Sequence, residues 1–170
     1  MPARAAAARH TRASSADFVV GTRYSEFVDR PGFWIMYAFM VCGAWSALRV
    51  VMPWAGAAVI WTTTLQAHAA VTFVLLHWIR GAPEALSDLS SSDVAHLTFW
   101  EQIGGGRVWG TKPQRVFTLF PIAIFFLTLI WTQENMVMLV LNSLSTVVLL
   151  IAKSESLFGV RLFGINKLQE

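Results

Sequence analysis

"WAGAAVIWTTTLQAHAAVTFVLLHWI", residues 54–79, runs from end to end without a charged side chain. A helix needs ~20 apolar residues to cross the ~30 Å hydrocarbon core of a bilayer. Lipid offers the backbone no hydrogen-bond partners, so a spanning segment of this kind must be helical. Three further apolar runs accompany it. One covers about Phe33 to Met52, interrupted only by Arg49; the others cover about Val116 to Gln133 and Asn135 to Ala152. Together they predict an all-α integral membrane protein with four transmembrane helices.

The composition points the same way. The 170 residues are 55% hydrophobic and 14% charged, with eight tryptophans, whereas soluble domains carry about 25% charged residues. Pro53 separates the first two runs and "QEN" (Gln133 to Asn135) the last two, so the spans pair as two hairpins. Pro121 falls inside the third run and is expected to kink it, because proline lacks the amide hydrogen that bonds four residues back. The predicted organisation is a polar N-terminal segment over 1–32, a transmembrane domain over 33–152 with one long loop at 80–115, and a tail over 153–170.

Basic residues orient the bundle. All thirteen except Arg49 lie in the N-terminal segment, the central loop or the tail, from Arg4 through Lys112 to Lys153 and Lys167. By the positive-inside rule, both termini and the loop are expected in the cytosol. The opening "MPARAAAARHTRASSA" has the composition of a transit peptide, but with a hydrophobic hairpin so close behind it is read as a disordered cytosolic lead. No secretory signal precedes the first run, which is expected to serve as its own signal.

Chemistry-bearing constellations are scarce. His10, His68, His77 and His96 do not cluster, which argues against metal-dependent membrane oxidases. Glu84, Asp88, Asp93 and Glu101 share the loop without a histidine-rich context and are read as a solvated face rather than an acid/base pair. "GGGRVWGTK" (Gly104 to Lys112) lacks the order of a phosphate loop and is read as a flexible turn. Cys42 has no cysteine to pair with and sits in an apolar run, as a small packing residue does. No catalytic residue, metal or cofactor is expected, and no nucleic acid.

Polar residues inside the spans are more telling. Thr62, Gln66, Ala69 and Phe73 form one helical stripe, with Thr64, His68 and Thr72 beside it; Asn142 and Ser145 share a face of the fourth run. Such groups join helices in a membrane. Arg49, near the end of the first run remote from the basic loops, either snorkels to the headgroups or pairs with another helix.

The last of the ordered motifs is "GVRLFGINK" (Gly159 to Lys167), and with it the chain resembles the ORMDL family of endoplasmic-reticulum membrane proteins. The same order holds for "GFW" (Gly32 to Trp34), "VIWT" (Val59 to Thr62), "LHWIRGAP" (Leu76 to Pro83), "LTFWEQ" (Leu97 to Gln102), "FPIAIFFLT" (Phe120 to Thr128) and "VLN" (Val140 to Asn142). The resemblance implies a multi-pass regulator without catalytic activity. Such a regulator binds the catalytic subunits of serine palmitoyltransferase and restrains sphingolipid synthesis when ceramide is abundant. It also implies that the lead reaches into the partner's substrate tunnel beside ceramide, which singles out Gly21, Thr22, Arg23, Tyr24 and Phe27. The family has an asparagine where this chain has Gly21, so the side-chain amide is missing. Fully extended, the stretch from Thr22 to Phe33 would reach ~36–40 Å. Partner or interface contacts are expected at Arg49, Gln66, His68, Trp100, Glu101, Gln102, Asn142, Arg161, Phe163 and Asn166. A second reading of the same features is a small tetraspan assembly factor or scaffold without lipid sensing. A transporter or lipid-modifying enzyme is disfavoured by the lack of acidic groups within the spans.

Overall fold

A computed structural model describes residues 27–79, 98–104, 110–157 and 160, which are helical apart from turns and connecting residues. The long helices are α1 (Pro31–Val51), α2 (Ala57–Phe73), α4 (Lys112–Thr132) and α5 (Met136–Ala152). The six-residue α3 (Phe99–Gly104) lies between the hairpins. Together with the π-helical turn Val74–Trp78 that prolongs α2, three helices are long and apolar enough to cross a membrane, and α5 is a shorter apolar helix.

Local chemistry explains the boundaries. Pro31 opens α1, where its missing amide hydrogen has no helical partner to lose. Asn135 caps α5, its Oδ1 accepting from the Met138 amide at 3.1 Å. Thr111 and Gln114 cap α4 reciprocally, each side chain bonding the other's backbone amide. That box starts α4 at Lys112, so the helix takes up the end of the segment read as loop. Thr98 and Glu101 form the same device at α3. The Thr98 amide donates to Glu101 Oε2 at 2.8 Å, and the Glu101 amide to Thr98 Oγ1 at 3.4 Å. The central segment therefore carries a helix of its own.

The interior is polar and the exterior greasy. α2, α4 and α5 pack on one another, while α1 lies along α2 and buries none of its residues. On α4 the packed stripe is Gln114, Phe117, Thr118, Pro121, Ile124, Thr128 and Thr132. Its threonines bond the carbonyl four residues back, at 2.8–3.0 Å, which satisfies each hydroxyl within its own helix. Phe39, Trp54, Phe126, Ile130 and Val137 point outward. That inversion suits a lipid solvent, in which apolar surface carries no penalty and unpaired polar groups do.

The predicted stripes meet. Asn142 Nδ2 donates to Thr62 Oγ1 at 3.1 Å, and its Oδ1 accepts from Gln66 Nε2 at 3.2 Å. Ser145 Oγ donates to Gln66 Oε1 at 2.6 Å. The second stripe works otherwise. Thr64 and Thr72 bond their own helix, and His68 Nε2 shares a 2.6 Å hydrogen bond with Tyr37 Oη across to α1. Arg49 has a partner within its own hairpin. Its Nη1 donates to the Ala55 carbonyl at 2.9 Å and ties off the α1–α2 turn, because a carbonyl freed by that turn lies within reach of its stem.

The reach expected of the lead is also shorter than a free chain allows. Residues 27–29 form a helical turn, the Arg30 amide donates to the Phe27 carbonyl, and Val28 is buried.

Replacing Asn142 with Leu removes both amide contacts across the α2–α5 seam. It should destabilise the bundle by about 1–2 kcal/mol, measured by unfolding in bicelles. Unchanged stability would mean the seam is held by packing alone.

Candidate functional site at the loop end of the bundle

Five elements converge at the end of the bundle opposite the two hairpin turns. Val28 from the root of the lead, Leu76 from the π-turn, Trp100 and Ile103 from α3, and Phe117 from α4 form one buried cluster, flanked by Phe33, Trp34, Tyr37 and Phe99. Aromatic edges knit it together. Trp34 and Phe33 meet the Phe117 ring at 5.0 and 6.0 Å, and Phe27 stands edge-on to Phe33 at 5.4 Å.

The π-turn helps build this seat. The Ile79 amide bonds the Val74 carbonyl five residues back, and the wider turn places Leu76 in the cluster and His77 against Trp100, with ring centroids 5.5 Å apart. Such turns recur at functional sites.

Lys153, the residue after α5, supplies the fifth element. It is 1% exposed. Its Nζ donates to the Phe117 carbonyl at 2.6 Å and lies 5.9 Å from the centroid of the Trp100 ring. Phe117 stands four residues before Pro121, whose ring nitrogen has no hydrogen to give it. The proline therefore leaves a carbonyl free inside an unbroken helix, and the lysine takes it. The ammonium also sits at the carbonyl end of α5, where the helix dipole favours a cation. Burial pushes the Lys153 pKa down from 10.5 to about 8.

The expected site residues distribute unevenly over this geometry. Trp100, Glu101 and Gln102 are all buried in α3, at the loop end. Phe27 reaches it from the lead and stays half exposed. Gln66 and Asn142 are joined to each other, His68 to Tyr37, and Arg49 to its own turn, away from α3. Gly21, Thr22, Arg23 and Tyr24 lie outside the described residues, as do Arg161, Phe163 and Asn166. Val28, His77, Gln114 and Lys153 were not anticipated. The two capping boxes are readable as Thr-x-x-Glu and Thr-x-x-Gln; the lysine and its carbonyl are 36 residues apart and carry no local signal.

Comparison with known proteins gives the site a context. The model of the ORMDL family matches residues 22–161, which takes in every element named above. The chain is 33% identical to ORM1-like protein 3 of Mus musculus and of Homo sapiens over 154 residues, covering 87% of this chain and 98% of those proteins. With ORM1-like protein 1 of Bos taurus the identity is 34% over the same shares.

A double-mutant cycle tests the lysine's role. Pro121→Ala restores an amide hydrogen to the Phe117 carbonyl. Lys153→Met should then cost less in the Pro121→Ala background than in the wild type, by about 1 kcal/mol or more. Additive effects would mean that the two residues act independently. The titration gives a second check. Between about pH 8 and 10.5 the unfolded chain holds the lysine proton and the folded chain releases it, so stability rises with pH across that window. Below about pH 8 both states are protonated and the lysine contributes no slope. Lys153→Met should abolish the rise relative to wild type in equilibrium unfolding; an unchanged slope would assign it to other groups.

Proposed function

This chain belongs to the ORMDL family, and from that premise we propose that it is a non-catalytic regulatory subunit of sphingolipid synthesis. In this reading it binds the catalytic subunits of serine palmitoyltransferase in the endoplasmic-reticulum membrane and restrains them when ceramide is abundant. The loop end faces the cytosol, with both termini, because the basic residues gather there.

The observation that carries the reading is the burial of Val28 at the loop end. It roots the polar lead on the bundle at Val28, in one buried cluster with Trp100 and Ile103 of α3. The transmembrane helices are held in lipid and cannot enter a soluble catalytic domain. A tethered lead can. Arg23 and Tyr24 then supply a donor and an apolar anchor to the partner. Relatives are named as ORM1-like proteins, without an enzymatic name, in keeping with a regulatory part.

Gly21 favours a second reading, an assembly factor or scaffold without lipid sensing. Where the family offers an asparagine amide, glycine offers none, and a hydrogen bond of about 1 kcal/mol net is absent.

Deletion must stop short of Val28 to leave the bundle whole. With residues 1–26 removed, affinity purification in mild detergent should still recover both large synthase subunits. Long-chain-base synthesis by that complex should rise to the level of the free synthase and no longer respond to ceramide. Full inhibition after truncation would move the brake elsewhere, and a chain purified without synthase would contradict the reading. An intact complex inhibited equally with and without ceramide would favour the scaffold-like alternative.

A further inference from the structure

Val28 is the only buried residue described before α1, and its seat is made largely by α3. Of its neighbours in the buried cluster, Trp100 and Ile103 belong to that short helix, while Leu76 and Phe117 form the floor. α3 in turn rests on the π-turn and on the start of α4. A six-residue helix is too short to be stable by itself, so its place depends on this packing.

The polar side of the same seat is strained. Trp100 Nε1, His77 Nε2 and Gln114 Nε2 are buried with no hydrogen-bond partner, although Trp100 and Gln114 are almost wholly enclosed. Buried polar atoms nearly always find partners. Here the apolar burial of Trp100 and Ile103 holds α3 down while these stranded groups favour its release to water.

We propose that α3 is a positioning element for the root of the N-terminal segment: the buried cluster that Val28 shares with Trp100 and Ile103 couples the two, so that displacing α3 exposes Val28. This rests on the regulatory reading above and adds how the brake is held. Val28, Trp100 and Ile103 act through the lead.

Cysteine labelling of the full chain in lipid nanodiscs tests the coupling without the synthase. The host protein carries Cys42→Ala and Val28→Cys, and the probe is a charged, membrane-impermeant maleimide. The cysteine at position 28 should be protected in this host and with Trp100→Phe, which keeps the ring and loses the indole N–H. Trp100→Ala and Ile103→Ala should each speed labelling at least roughly tenfold, through local opening. Leu149→Ala, which thins the core of α5 outside the cluster, should leave the rate unchanged. Fast labelling in the host, protection in every variant, or an equal rise with Leu149→Ala would each overturn the proposal. In the purified synthase complex, Trp100→Ala should weaken inhibition. If labelling follows α3 while inhibition is unmoved, the coupling stands and the lead's role as a brake fails.

Discussion

A proline without an amide hydrogen and a lysine without water meet at one carbonyl, and the loop end is organised around that meeting. Pro121 leaves the Phe117 carbonyl unbonded within α4, and Lys153 donates to it at 2.6 Å from the end of α5. Neither group is comfortable alone. A buried ammonium costs several kcal/mol unless it is paired, and a buried carbonyl without a donor costs about 1–3 kcal/mol. Their union fixes the end of α5 against the first turns of α4, and Phe117 then presents its ring as the floor on which Leu76, Trp100, Ile103 and Val28 assemble.

The α2–α4–α5 core is closed by the Thr62–Asn142–Gln66–Ser145 seam, whose hydrogen bonds are complete. Unpartnered nitrogens occur both within the spans, at Trp45 and His68, and at the loop end, at His77, Trp100 and Gln114.

The parts of this design that were legible in the sequence are those with a period. Four apolar runs and the stripes Thr62/Gln66 and Asn142/Ser145 can be read because helices repeat every 3.6 residues, and the seam forms where the stripes meet. The capping boxes at Thr98 and Thr111 were equally local, yet lay in a stretch whose glycines suggested a turn. Lys153 was counted as one more tail charge; its burial depends on a carbonyl made available by a proline in another helix. The bond of Arg49 to the Ala55 carbonyl carries no periodic signal, since it depends on how the α1–α2 turn closes. Val28 lies in a polar lead and carries no helical pattern, so only its place in the cluster reveals it. Family motifs pointed to "LTFWEQ" before any contact did, and the structure supplies a physical reason for its weight: three of its residues, Trp100, Glu101 and Gln102, are buried at the loop end.

The account stands or falls on the lysine. Solid-state NMR on the full chain in lipid bilayers, with nitrogen-15 at the Lys153 side chain and carbon-13 at the Phe117 carbonyl, measures their separation directly. The 2.6 Å bond and a carbonyl length of about 1.2 Å put the two nuclei within about 4 Å, and strong dipolar coupling is the predicted result. A separation beyond about 6 Å, too long for a hydrogen bond, would show the ammonium released from the carbonyl and contradict the account.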